Sequence, residues 1–157
     1  MRLAALLALL TGCFPQYQTW TVPDDGIELR LVGMTDEAAS AAVEAAQAWA
    51  DACGKPGLFR VVVTDRSASD AVNVEAYQTD DGDSFYRAQD DRGLLVLSGS
   101  VRIADLAMHE LGHALLRGEF VYDGDEHSAD GGSVMHSPVL RGAAITADDI
   151  RLVCAGH

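Results

Sequence analysis

The residues of this chain best suited to chemistry are the run His109-Glu110-Leu111-Gly112-His113. On a helix, positions i and i+4 share a face, so His109 and His113 would aim two imidazole nitrogens at one point. Imidazole is a preferred donor for Zn²⁺, and a catalytic zinc site takes three protein ligands while leaving a position for water. Glu110 would add a carboxylate able to take the proton from such a water, which makes the run a candidate for metal-assisted hydrolysis rather than a metal clip. The competing reading is two ordinary histidines on an amphipathic helix. Against it, Val101, Ile103, Leu106, Ala107, Met108, Leu111, Ala114, Leu115 and Leu116 are apolar nearly all round and predict a buried helix over Val101 to Arg117.

A third ligand has to come from downstream, where the candidates are Glu119, His127 and His136. The run from His127 to Pro138, His-Ser-Ala-Asp-Gly-Gly-Ser-Val-Met-His-Ser-Pro, resembles the segment that follows the zinc helix in metzincin metalloproteases, the matrixins especially. In that family a third histidine, often followed by serine, precedes a Ser-x-Met turn whose methionine lies beneath the metal. His127, Ser128, Ser133 and Met135 match it, so the resemblance implies His109, His113 and His127 as zinc ligands, Glu110 as catalytic base and Met135 as the turn methionine.

The chain departs from the family immediately after the second histidine. Leu116 stands where metzincins carry the glycine of H-E-x-x-H-x-x-G-x-x-H, and Glu119 stands where they carry the third histidine. Arg117-Gly118 reads as a helix end, since glycine readily takes the left-handed conformation found there. The segment Glu119 to Glu126 then becomes a longer return loop, with Glu119 the rival ligand or a latch over the site and His136 a substrate contact or alternative ligand. Ser137 occupies the position of a tyrosine that assists catalysis in some metzincins.

The elements that must position these residues can be read in chain order. Residues 1–12 carry Arg2 and an apolar run from Leu3 to Leu10, the pattern of a secretory leader too short to span a bilayer. Leu10-Thr11-Gly12-Cys13 resembles the bacterial lipobox, which implies lipidation at Cys13, anchoring to a membrane and an outer-membrane or cell-surface lipoprotein. A plain leader followed by an ordinary cysteine is the alternative. Residues 13–26, punctuated by Pro15 and Pro23, read as a tether, and 27–157 as one domain.

Ile27 to Val32 alternates apolar and charged residues as a half-exposed strand does. Thr35 is placed to cap a helix with Asp36 and Glu37 in its first turn, an apolar side through Ala39, Val43, Ala46, Trp49 and Cys53, and a stop at Gly54 and Pro56. Leu58 to Val63 reads as a buried strand, with further strands at Ala71 to Tyr77, Phe85 to Ala88 and Gly93 to Ser98. Thr146 and Asp149 approximate a capping box that opens a closing helix, whose apolar face would be Ile150 with Val153 or Cys154.

The fold expected is α/β (α+β): a small, twisted, mixed sheet with an active-site helix, a backing helix and a C-terminal helix, metzincin-like by resemblance. Gly93 to Ser98 would then lie near the sheet edge that binds extended peptides. With Cys13 lipidated, Cys53 and Cys154 remain at two helix ends in an oxidising compartment, so a disulfide between them is expected, with buried thiols the alternative.

The formal charge of −13 becomes −14 once Arg2 leaves with the leader, 10 basic against 24 acidic residues. Such a chain has no basic stripe for phosphates, which argues against nucleic-acid binding. The acidic turns Asp80-Asp81-Gly82-Asp83 and Asp90-Asp91 lack the spacing of an EF-hand and are explained by turn chemistry, with a structural Ca²⁺, which matrixins carry, as the lesser alternative. The function expected is a zinc-dependent endopeptidase acting on proteins and anchored to the cell envelope. The alternative is an inactive zinc-binding surface lipoprotein serving as a binding or adhesion module.

Overall fold

The computed structural model describes residues 23–66, 74–80, 84–89, 92–98, 102–116 and 127–154. The leader, Cys13, most of the tether, Glu119 with its surrounding loop, and Asp81, Gly82, Asp83, Asp90 and Asp91 of the acidic turns lie outside these residues.

Strand β1 (Ile27–Val32) buries Ile27, Leu29 and Leu31 and turns Glu28 and Arg30 outward, as its alternation requires. It lies between β2 (Phe59–Thr64) and β3 (Val74–Thr79), both parallel to it. Strand β5 (Arg92–Ser98) runs parallel to β3, and β4 (Phe85–Gln89) closes the sheet antiparallel to β5, giving the order β2-β1-β3-β5-β4. On the outer face Glu28 pairs with Arg30 at 2.7 Å and with Arg60, and these guanidinium groups hold its carboxyl below the usual carboxylate range.

Among the described residues three helices build the other layer: α1 (Asp36–Ala52), α2 (Ile103–Leu116) and α3 (Ala147–Val153). The capping residues act as expected. Thr35 Oγ1 accepts from Ala38 N, and Gly54 (φ +63°) follows the last turn of α1. At α3, Thr146 and Asp149 form a complete capping box.

Four readings of the sequence need correction. The buried face of α1 is Ala38, Ala41, Ala42, Ala45, Ala46, Trp49 and Ala50, which leaves Val43 42% exposed and Ala39 only partly covered. Small side chains let α1 close on α2, and that fit selects the face over hydrophobicity. Strand β2 is an edge strand, half-exposed, with Val63 64% exposed. Strand β5 is covered by β4, so the sheet margin beside α2 belongs to β4. On α3, Val153 is buried while Ile150 is 36% exposed.

The core runs from the apolar face of the sheet through α1 and α2 to Val134, Met135 and Val153. Trp49, fully buried, donates from its indole nitrogen to the carbonyl of Met108 at 2.8 Å and so ties α1 to the backbone just ahead of the histidine motif. The expected disulfide is present: Cys53 and Cys154, the residues that cap α1 and α3 at their C-terminal ends, are bonded with Cα atoms 5.3 Å apart.

Candidate metal centre

Every residue from His109 to Leu116 is buried, so α2 carries the motif through the interior as its composition predicts. His109 and His113 lie one turn apart, and their Nε2 atoms are 3.0 Å from each other. Two nitrogens on one tetrahedral zinc stand roughly 3.3 Å apart, given Zn–N distances of about 2.0–2.1 Å. The pair is therefore set close to the spacing that a shared ion imposes.

His127 completes the group from the segment that is bonded to the Ser133–Met135 turn. Its ring stacks parallel to that of His109 at 5.4 Å and stands edge-on to that of His113 at 4.9 Å. One donor atom of each of the three imidazoles lies within 4.8 Å of the others, and among the described residues this is the group of potential ligands that could share an ion. His136 is outside it, with its Nδ1 donating to the carbonyl of Ser128 at 2.9 Å.

The chemistry of the donors fits zinc. Burial holds the His109 imidazole down to about 4, His113 beside it pushing the same way and the Val134 carbonyl opposing, so the ring is neutral. Its Nδ1 donates to Val134 O at 2.7 Å, which fixes the tautomer and leaves Nε2 its lone pair toward His113. Glu110, only 4% exposed, follows His109 on the same turn.

Gly112, Arg102 and the link from Ser133 to Asp149, none of which sequence reasoning supplied, complete the site. Gly112 was one of the unassigned positions of the motif. A Cβ there would collide with Met135 Sδ and stand 2.9 Å from Trp49 Cζ2. The absence of a side chain lets Met135, fully buried, seat against the turn that carries both histidines. A glycine inside a strongly helical pattern is itself the signal, since it costs about 1 kcal/mol relative to alanine and calls for a packing reason. The turn is fixed from behind by Ser133, whose hydroxyl donates to Asp149 Oδ1 at 2.7 Å and accepts from Met135 N at 2.9 Å. Asp149 also accepts from Thr146 N and Thr146 Oγ1 at 2.8 and 2.9 Å, so the capping box of α3 and the methionine turn share one buried carboxylate. Beyond the turn, Arg102 at the start of α2 donates to Val139 O at 2.5 Å.

No protein-family model matches the chain, and no curated protein matches it. Solved structures do. The chain is similar to myroilysin (TM-score 0.60, 16% identity, 87% of this chain and 82% of that one). It is similar to archaemetzincin from Methanopyrus kandleri (TM-score 0.55, 15% identity, 86% and 98% of the two chains). It is also similar to high choriolytic enzyme 1, a hatching enzyme zinc-protease from Oryzias latipes (TM-score 0.51, 15% identity, 92% and 96%). The fold is therefore the metzincin-like zincin fold.

Proposed function

We propose that this chain is a zinc-dependent endopeptidase that hydrolyses peptide bonds of proteins and is anchored to the cell envelope through lipid on Cys13. The observation that carries the reading is the convergence of three imidazole donors, His109, His113 and His127, beside the buried carboxylate Glu110. Zinc, when bound, supplies a Lewis acid that polarises the scissile carbonyl and makes a water nucleophilic near neutral pH. Glu110 takes the proton of the attacking water and returns it to the leaving amine nitrogen. His109, held neutral and oriented by Val134 O, stays a ligand rather than a proton carrier. An extended substrate would add as a further strand to the margin formed by β4. The Ser133-x-Met135 turn favours a matrixin-like affiliation, and the lipobox-like Leu10 to Cys13 favours export as a lipoprotein facing the cell surface.

The test is metal analysis together with digestion of a mixed peptide library by wild type, His127→Ala and Glu119→Ala. One zinc per chain, with zinc and cleavage lost in His127→Ala and kept in Glu119→Ala, is the expected result. Zinc without cleavage in wild type but with cleavage in Glu119→Ala would make Glu119 a latch, whereas zinc without cleavage in any form would overturn the peptidase reading in favour of a binding module. Calcium measured in the same samples tests the acidic turns. Palmitate labelling that disappears in Cys13→Ser tests the anchor.

A further inference from the structure

We propose that His136 is a positioning residue for the metal centre: by clamping Ser128, it holds the segment that delivers His127 and thereby sets zinc affinity. This rests on the reading of His109, His113 and His127 as the zinc ligands.

The argument begins with how the third imidazole reaches the site. His109 and His113 belong to α2 and inherit its rigidity, whereas α2 ends at Leu116 and His127 follows only after a long connection. A ligand on a returning segment must be ordered before it can bind, and that ordering opposes metal capture unless the protein provides it in advance. Here the provision comes from the methionine turn. Ser128 N donates to Met135 O at 2.8 Å, and Ser128 O accepts from His136 Nδ1 at 2.9 Å. Ser128 and His136 also form a bridge of parallel β type. The two peptide planes that follow the His127 Cα are thus each tied to the turn, one through a backbone carbonyl and one through a side chain. Ser128 is buried, and its hydroxyl accepts from Asp130 N at 3.1 Å, so the segment is fixed beyond the clamp as well.

Two features define what the side-chain arm requires. The Ser128 carbonyl can only accept, so His136 Nδ1 carries the proton and donates. The turn also fixes where that donor starts, because His136 N bonds to Ser133 O at 3.1 Å. A side chain with a donor at the Nδ1 position could replace the imidazole, and one without it could not.

The experiment is a competitive zinc titration of the full chain, with cobalt absorption as a second readout, comparing wild type with His136→Ala, His136→Asn, His136→Gln and His109→Ala. The amide nitrogen of asparagine falls near the Nδ1 position, while that of glutamine falls near Nε2. A lost outer-shell contact typically weakens metal binding about 10- to 100-fold. The expected result is a loss of that order in His136→Ala and His136→Gln, recovery to near wild-type affinity in His136→Asn, and an unchanged cobalt spectrum in His136→Asn. Equal affinity in wild type and His136→Ala overturns the proposal, as does equal weakening in the alanine and asparagine variants. A cobalt spectrum altered in His136→Asn would instead make His136 a ligand and also overturn it. Wild-type affinity in His109→Ala would overturn the underlying zinc reading, an outcome separate from the others. Thermal melts of the metal-free variants check that the fold is retained, and the asparagine variant decides the matter if the alanine variant does not fold.

Discussion

Met135 occupies the space that a side chain at Gly112 would need, so the turn after the third histidine and the helix bearing the first two are in direct van der Waals contact. This joins two regions distant in sequence into a single support for the imidazoles. Gly112→Ala is favourable for an isolated helix by up to about 1 kcal/mol, yet overpacking costs about 1–3 kcal/mol, because the added carbon would collide with Met135 Sδ and stand 2.9 Å from the rigid ring of Trp49, both fully buried. The expected outcome is a net loss of stability with weaker zinc binding, checked by thermal melting and zinc titration. Higher stability with unchanged zinc affinity would show that the contact yields freely.

Glu110→Gln keeps the shape of the side chain and removes the carboxylate proposed as the base. Peptide cleavage should fall by about 10²–10⁴-fold, the usual contribution of general base catalysis, while zinc stoichiometry stays at the wild-type value. Single-turnover peptide hydrolysis and metal analysis of the same sample check both halves. Retained cleavage would remove Glu110 from its role.

Ser133 serves two buried partners at once, Asp149 as donor and Met135 N as acceptor. Ser133→Ala deprives Asp149 of one donor and Met135 N–H of its acceptor, and each such loss inside a protein costs about 1–3 kcal/mol. For a domain of this size the melting temperature drops by about 2–4 °C per kcal/mol. Calorimetry of the zinc-free protein measures it, and a change under 1 °C would contradict the network.

Opening the disulfide removes a constraint between residues 101 apart in sequence. For a loop of that length the loss of unfolded-state entropy is worth up to about 4.7 kcal/mol. Urea unfolding of Cys53→Ser with Cys154→Ser should therefore show a midpoint well below wild type. Coincident curves would show that the bridge contributes little.

The His109 imidazole titrates at about 4 in the folded protein against an ordinary 6.5, so on acidification the unfolded chain takes up its proton first. Stability of the metal-free protein owed to this residue is complete above pH 6.5, declines as pH falls toward 4, and changes no further below that. Urea midpoints across this range, compared with those of His109→Gln, should be steeper in pH for wild type. Equal slopes would mean that His109 is not held neutral by burial.

What could be read in the sequence was whatever is decided locally. Thr35 and the Thr146–Asp149 box fix helix starts through contacts within one turn, and both are present. The i, i+4 histidines needed only a helix to converge, and α2 provides it. What escaped was decided by the partner surface. Val43 points outward because α2 accepts the alanine face of α1, and nothing within Asp36–Ala52 states that preference. Val63 is exposed because β2 is an edge, a fact of strand order rather than of the run Phe59 to Thr64. The links from Ser133 to Asp149 and from His136 to Ser128 join positions 16 and 8 residues apart, beyond the reach of any periodicity.

The Cys53–Cys154 bond also has a topological meaning. It turns the chain between those residues into a covalent ring that contains strands β2 to β5, helices α2 and α3, all three clustered histidines and Glu110. A single nick anywhere along that ring opens it without releasing a fragment, so the two ends remain on one molecule. Under the proposed peptidase activity, a copy cut once within the ring by a neighbour would keep all three clustered histidines on one covalently linked molecule.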